Sequence, residues 1–82
     1  MKVDARVRAV FADGISPEIA EQLTADSTTD NVPGWDSHSF VAILVGLEKE
    51  FGITLTALEA ARLQSVRAIH ELLTARGVSL AA

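Results

Sequence analysis

The chain has 82 residues, a formal net charge of −4 and no cysteine, and 49% of its residues are hydrophobic. This length predicts one domain over residues 1–82, and no apolar run approaches the roughly 18 residues of a membrane-spanning helix. The missing cysteines exclude disulfides and thiolate metal sites, and the acidic balance argues against nonspecific binding of nucleic acid. No signal or transit peptide is recognisable, so we expect a cytoplasmic protein that makes no contact with a membrane.

Apolar spacing predicts a first helix, helix I, over about residues 3–12. Its stripe recurs at i, i+4, i+7 and i+8 and consists of Val3, Val7, Val10 and Phe11. Asp13-Gly14 supplies a stop. After it, Ser16-Pro17-Glu18 has the pattern of an N-cap followed by a first-turn proline, so we expect one or two helical turns pinned by Ile19 and Leu23.

Residues 24–34 are rich in Thr, Asp, Ser, Asn, Pro and Gly, and they predict a long loop. Residues 13–36 contain six acidic residues and no basic ones. We interpret this as a solvated loop, because the acids lack the compact alternate spacing of a calcium-binding loop.

The clearest helical pattern, helix II, covers about residues 37–51. Its apolar stripe has i, i+4, i+7 and i+11 spacing and comprises Phe40, Leu44, Leu47 and Phe51, with Ile43 beside it. Gly52 is a suitable residue to end this helix. The spacing of Thr56 and Glu59 matches a capping box and predicts a short helix III over 57–62.

Ser65 can cap helix IV over about residues 65–76. Its buried side is predicted to hold Val66, Ile69, Leu72 and Leu73, and residues 78–82 are expected to form a frayed tail. The predicted fold is therefore an all-α bundle of three main helices plus one short helix, with a long loop between helix I and helix II.

Ser37 stands at the boundary between that loop and helix II. A helix N-terminus carries unpaired backbone N–H groups and a partial positive charge, and both favour an anion. A phosphate esterified to the Ser37 hydroxyl is therefore expected to lie against these donors. The alternative is that Ser37 is simply an N-cap, since Ser and Asp are both preferred caps.

The run Gly34-Trp35-Asp36-Ser37, followed by the helix that ends in Glu48-Lys49-Glu50-Phe51-Gly52-Ile53, resembles the acyl carrier proteins and related carrier domains. The resemblance extends over most of residues 3–76 and implies an acyl-carrier-protein-like bundle. In that family the serine of an Asp-Ser-Leu or Asp-Ser-Met motif carries 4′-phosphopantetheine. Asp36 and Ser37 match this motif, whereas His38 stands where the family usually has an apolar residue.

The resemblance implies a carrier that is not itself an enzyme, and we expect a monomer. The 82 residues, with both ends outside the predicted helices, favour a freestanding protein. A phosphopantetheinyl transferase would modify Ser37, a loading ligase or transferase would attach acyl or aminoacyl groups as thioesters, and downstream enzymes of fatty acid, polyketide or nonribosomal peptide synthesis would consume them. The thiol must come from the prosthetic group, because the chain has no cysteine. The alternatives are an unmodified carrier-like domain that only binds proteins, and a small helical regulator that docks through an apolar helix face.

Two catalytic interpretations can be set aside, so we expect no catalytic residue and no metal ligand. Asp36, Ser37 and His38 include the residue types of a hydrolytic triad, but helical neighbours project about 100° apart and do not form the required chain of contacts. His38 and His70 lack spaced acidic or cysteine partners for a metal. His70 is predicted to lie at the boundary of the core on helix IV.

Partner binding is predicted to be less electrostatic than in well-known members of the family, which present an acidic helix II. The exposed face of helix II is expected to hold Ser39, Ala42, Val45, Gly46 and Lys49. We predict a contact centred on His38, Ala42 and Val45, with Ser39 on the same face and Asp30 and Asp36 at the rim. Trp35 is a further candidate for contact, although packing of the loop against the helix start is its expected role. The alternative is that Ala42 and Val45 are scattered apolar surface residues without a function.

Overall fold

The computed structural model describes residues 1–80 and confirms an all-α domain, with five helices in that part of the chain. In order they are α1 (Ala5–Gly14), α2 (Pro17–Gln22), α3 (Ser37–Phe51), α4 (Ala57–Arg62) and α5 (Val66–Ala75). The predicted helices I to IV correspond to α1, α3, α4 and α5. The turns predicted after Ser16 form the additional helix α2, so one long loop, residues 23–36, separates α2 from α3.

The first helix begins two residues later than the apolar stripe indicated. Asp4 is its N-cap, and the carboxylate accepts hydrogen bonds from the backbone N–H groups of Arg6 and Val7. Since an N-cap residue has extended backbone angles, Val3 lies outside α1 although its side chain is buried. The stripe therefore identified a core face correctly but not the start of the helix.

Local caps explain why the other helix boundaries agree closely with the prediction. Ser16 and Ser65 cap α2 and α5 by accepting from the N–H groups of Ile19 and Ala68. Thr56 and Glu59 form the predicted capping box at the start of α4. Each of these hydroxyls satisfies a backbone donor that the helix itself leaves without a partner.

The core forms where α1 packs against α3, with α5 and the loop closing the other sides. Its fully buried side chains include Val7, Phe11, Ile43, Leu47, Leu63, Val66, Ile69 and Leu73. The predicted stripe of α3 is shifted, because Ile43 is 1% exposed and lies at its centre, whereas Phe40, Leu44 and Phe51 are only partly buried. Gly46 permits the close approach of the two helices: a Cβ there would lie 2.8 Å from Val10 Cγ1.

The end of the described chain is packed, which corrects the expectation of a frayed tail for residues 78–80. Val78 and Leu80 are partly buried against the core, and the Val78 N–H donates to the carbonyl of Leu73 over 2.9 Å. Arg6 donates from Nη2 to the carbonyl of Ser79 over 2.6 Å. Residues 81 and 82, also part of that prediction, lie outside the described residues.

His70 lies at the boundary of the core, as predicted, where it lines a surface groove together with Met1 and Lys2. It is buried, and its Nε2 accepts a hydrogen bond of 3.2 Å from the backbone N–H of Asp4. Burial lowers the pKa of His70, while the Asp4 carboxylate opposes that shift. This hydrogen bond joins α5 to the start of α1.

None of the helices within residues 1–80 is both long enough and apolar enough to cross a membrane.

Candidate functional site

The loop that precedes Ser37 is held in place by the connection between α4 and α5. Thr28 and Ser65 form an isolated antiparallel bridge. The N–H of Thr29 donates to the carbonyl of Gln64, and the N–H of Val66 donates to the carbonyl of Ser27, each over 3.0 Å. These long-range backbone bonds give a polar loop a defined position.

Gly34 and Trp35 direct the chain from the loop into α3. Gly34 has a φ of 84°, which L-residues with a side chain rarely adopt, and an added Cβ would lie 2.9 Å from Ile15 Cγ2. Trp35 is 3% exposed and packs edge-on against Phe11 of α1, with ring centroids 4.8 Å apart and an interplanar angle of 87°. Trp35 is buried, as its predicted packing role requires, and its aromatic contact is with Phe11 of α1.

Asp36, not Ser37, is the N-cap of α3. Its Oδ1 accepts from the N–H groups of His38 at 3.0 Å and Ser39 at 3.1 Å. Ser39 completes a capping box, because its Oγ accepts from the Asp36 N–H over 3.0 Å and donates to the carbonyl of Gly34. The hydrogen bond from the Ser39 N–H lowers the pKa of Asp36, with a further contribution from the His38 N–H.

This capping box corrects the expectation that several free N–H groups await a phosphate on Ser37. The donors of His38 and Ser39 already serve the Asp36 carboxylate, so the Ser37 N–H is the first-turn donor without a hydrogen bond within residues 1–80. The field of a 15-residue helix remains, and it still favours negative charge at this end.

Ser37 is the first residue of α3, and its side chain is exposed. Its hydroxyl makes no hydrogen bond within the described part of the chain, since Asp36 and Ser39 carry out the capping. A serine that is neither buried nor needed as a cap is free to react with an external partner. The structure therefore excludes the alternative in which Ser37 is simply the N-cap of this helix.

A groove of about 250 Å³ opens beside Ser37. The loop, the start of α3 and the α4–α5 connection contribute to its walls, which include Thr29, Asp30, Trp35, Phe40 and Gln64. Sequence reasoning did not associate Gln64 with this site. The hydrogen bond from the Thr29 N–H to the Gln64 carbonyl and the bridge between Thr28 and Ser65 hold it there, and no local pattern indicates these contacts.

The exposed face of α3 next to Ser37 is apolar, but its composition differs in part from the prediction. His38, Ala42 and Val45 are exposed as expected, and so are Asp30 and Asp36. Val41 was not predicted and is 59% exposed, compared with 43% for Val45. We refer to His38, Val41, Ala42 and Val45 as the α3 surface.

Three residues assigned to that face or to partner contact do not belong to the α3 surface. Trp35 and Ser39 are buried, the first against Phe11 and the second in the capping box. Gly46 is partly buried, and a Cβ there would meet Val10. Their side chains are not available to a partner in this structure.

The two histidines are in different environments. His38 is exposed on the α3 surface, whereas His70 is buried and bonded to Asp4. Among residues 1–80, no cluster of three or more His, Cys, Asp or Glu side chains could hold a metal ion. No protein-family model matches the chain.

Proposed function

We propose that the chain is a carrier protein whose Ser37 hydroxyl receives 4′-phosphopantetheine from coenzyme A. The thiol of the attached group then presents thioester-bound acyl or aminoacyl groups to biosynthetic enzymes. The observation that carries this proposal is the exposed Ser37 hydroxyl, which has no hydrogen-bond partner within residues 1–80, at the first position of the longest helix described. Its neighbours Asp36 and Ser39 cap the helix. Replacement or modification of Ser37 thus leaves the cap intact.

The arrangement of the helices supports a carrier-type bundle. Three longer helices, α1, α3 and α5, enclose the core, and the short α4 lies between α3 and α5 in the sequence. The loop of residues 23–36 is ordered by hydrogen bonds and delivers Ser37 to the surface. A long ordered connection in so small a domain is more often functional than incidental.

The residues around Ser37 fit such a group in two respects. The groove offers room next to the hydroxyl, and the field of the 15-residue helix favours the negative charge of the phosphate at this end. When attached, phosphopantetheine supplies the thiol that this chain lacks. The protein contributes a fixed point of attachment, and tethering raises the local concentration of the bound intermediate.

Neither neighbour of Ser37 is positioned as a base for the transfer. The Asp36 carboxylate is occupied by two backbone donors, and the adjacent His38 projects about 100° away from Ser37 around the helix. In the proposed reaction Ser37 Oγ attacks phosphorus in the pyrophosphate of coenzyme A, its proton passes to a base of the transferase, and adenosine bisphosphate leaves. The chain is thus a substrate in this step.

The test is the intact mass after incubation with coenzyme A and a broad-specificity phosphopantetheinyl transferase. We expect a gain of one phosphopantetheinyl group, together with one thiol that reacts with maleimide; the unmodified chain should be inert to that reagent. Ser37→Ala should abolish the gain, whereas the control Ser79→Ala, at another exposed serine, should retain it. An unchanged mass for folded wild-type protein, or labelling that survives in Ser37→Ala, would refute the proposal.

A second function is favoured by one observation, the exposure of Val41 and Val45 on the same helix face. An unmodified domain that binds a partner through the α3 surface would use this face without any chemistry at Ser37. The mass experiment separates the two, because only the carrier gains a phosphopantetheinyl group.

A further inference from the structure

A single hydroxyl joins the end of the long loop to the start of α3. Ser39 Oγ donates to the carbonyl of Gly34 and accepts from the N–H of Asp36 over 3.0 Å. A hydroxyl has one proton to donate, and its contacts with the carbonyl and the carboxylate of Asp36 are longer, at 3.3 and 3.4 Å. The segment that these bonds close, residues 34–39, contains Ser37.

The two backbone groups that Ser39 serves depend on its hydroxyl. Neither the Gly34 carbonyl nor the Asp36 N–H has another hydrogen-bond partner within residues 1–80. Ser39 is 6% exposed, whereas Gly34, Asp36 and Ser37 are all exposed. A side chain anchored inside the fold therefore holds the exposed backbone that leads to Ser37.

This anchor matters because Ser37 is the first residue of α3. The ends of helices open at a lower cost in free energy than their centres do, so a loosened first turn carries the Ser37 hydroxyl away from its place. Transfer to that hydroxyl requires a defined position relative to the attacked phosphorus. The order of the first turn therefore bears directly on the reactivity of Ser37.

We propose that Ser39 is a positioning residue for the modification of Ser37, because its hydroxyl holds residues 34–36 against the first turn of α3. This inference rests on the proposed function. The hydrogen bonds of Ser39 go to Gly34 and Asp36, so it acts through the backbone and not on the reacting atoms. A transferase that binds only the ordered turn has an apparent affinity reduced by the ordered fraction. Loss of the hydroxyl thus raises KM for the carrier and leaves kcat at saturation unchanged.

The experiment measures initial rates of labelling by a broad-specificity phosphopantetheinyl transferase, with coenzyme A in excess and the concentration of the unmodified chain varied. Ser39→Ala should raise KM about twofold to tenfold, the shift that one lost hydrogen bond produces in a local equilibrium. Ser39→Thr keeps the hydroxyl and should restore the wild-type KM. Thr56→Ala breaks the capping box of α4, outside the groove beside Ser37, and should change neither constant. All variants are assayed at a temperature at which circular dichroism shows them to be folded.

Hydrogen exchange of the Asp36 amide reports on the capping box directly and should accelerate in Ser39→Ala. Unchanged exchange, or faster exchange with an unchanged KM, refutes the positioning role and leaves the carrier function standing. A rise in KM that is as large for Thr56→Ala also refutes it, because general loss of stability would then explain both. Ser39→Asn keeps an acceptor but lacks the hydroxyl, so its KM should also rise, and it replaces Ser39→Ala if that variant does not fold. No gain in mass for the wild type refutes the carrier function and the positioning role together.

Discussion

The close contact between α1 and α3 predicts an unusual response to Gly46→Ala. Alanine is favoured over glycine inside a helix by about 1 kcal/mol, so this change normally stabilises. Here the new Cβ would lie 2.8 Å from Val10 Cγ1, and Val10 is both buried and restricted at χ1. Overpacking a core costs about 1–3 kcal/mol, so we expect a net loss of about 1 kcal/mol.

In a Val10→Ala background, which lacks the obstructing methyl group, Gly46→Ala should stabilise the protein instead of destabilising it. Val10→Ala alone should lose about 2 kcal/mol, through two buried carbons and a small cavity. In that background the Gly46 Cβ would face Val10 Cβ at 3.7 Å, an ordinary contact. Gly46→Ala should then stabilise by about 1 kcal/mol, which gives a coupling energy of about 2 kcal/mol between the two sites.

Urea unfolding of the four proteins, followed by far-UV circular dichroism, measures this cycle. For a domain of this size, 1 kcal/mol corresponds to a shift in Tm of about 4–8 °C, so a thermal series provides an independent check. If Gly46→Ala has the same effect in both backgrounds, or stabilises the wild type, α1 and α3 do not approach each other at this point.

Three further predictions concern pH, capping and partner binding. Because burial lowers the pKa of His70, the unfolded chain binds more protons below about pH 6.5, so unfolding free energy should fall from about pH 7 to pH 5, and this slope should flatten in His70→Gln. Ser65→Ala removes the α5 cap and should lower the free energy of unfolding by about 1 kcal/mol, whereas Ser37→Ala should stay within about 0.5 kcal/mol of the wild type. Equal losses of unfolding free energy in urea titrations would contradict the assignment of Asp36 as the cap of α3. Val45→Glu should slow labelling by phosphopantetheinyl transferase more than Leu58→Glu, a matched change on exposed α4. Labelling that collapses at moderate salt yet tolerates Val45→Glu would instead place the contact on the acidic loop.

The helix boundaries were largely predictable from the sequence because their signals are local. Ser16, Thr56 with Glu59, and Ser65 each satisfy a donor a few residues away, so spacing alone identifies them. The start of α1 was not predictable in this way, because the apolar stripe includes Val3, whereas the cap is Asp4. That error comes from reading burial as helicity: Val3 is buried without being helical.

The faces of α3 were harder to assign because apolar residues occupy almost every position from Phe40 to Leu47. With so little contrast, periodicity alone does not decide which side is buried. The packing of α1 decides it and places Ile43 inside and Val41 outside. Ser39 is polar and was expected at the surface, but its hydroxyl is fully used by Asp36 and Gly34.

The sequence identified Ser37 as the candidate residue but did not predict the groove beside it. The serine is recognised from the loop and helix on either side, which are its neighbours in sequence. The groove depends on Gln64, whose position beside the loop is set by contacts between residues more than thirty positions apart in the sequence.

The backbone bridge between Thr28 and Ser65 also bears on the order in which the protein is made. A nascent chain emerges from its N-terminus, so α1 and α2 are available early, whereas the loop before Ser37 gains its partners only after residues 64–66 have been synthesised. Contacts so distant in sequence also close late in folding, since the intervening chain must first be ordered. The surroundings of Ser37 are therefore completed only after residues 64–66 have been synthesised, and an enzyme that recognises the finished loop would discriminate chains that have folded to this point from those that have not.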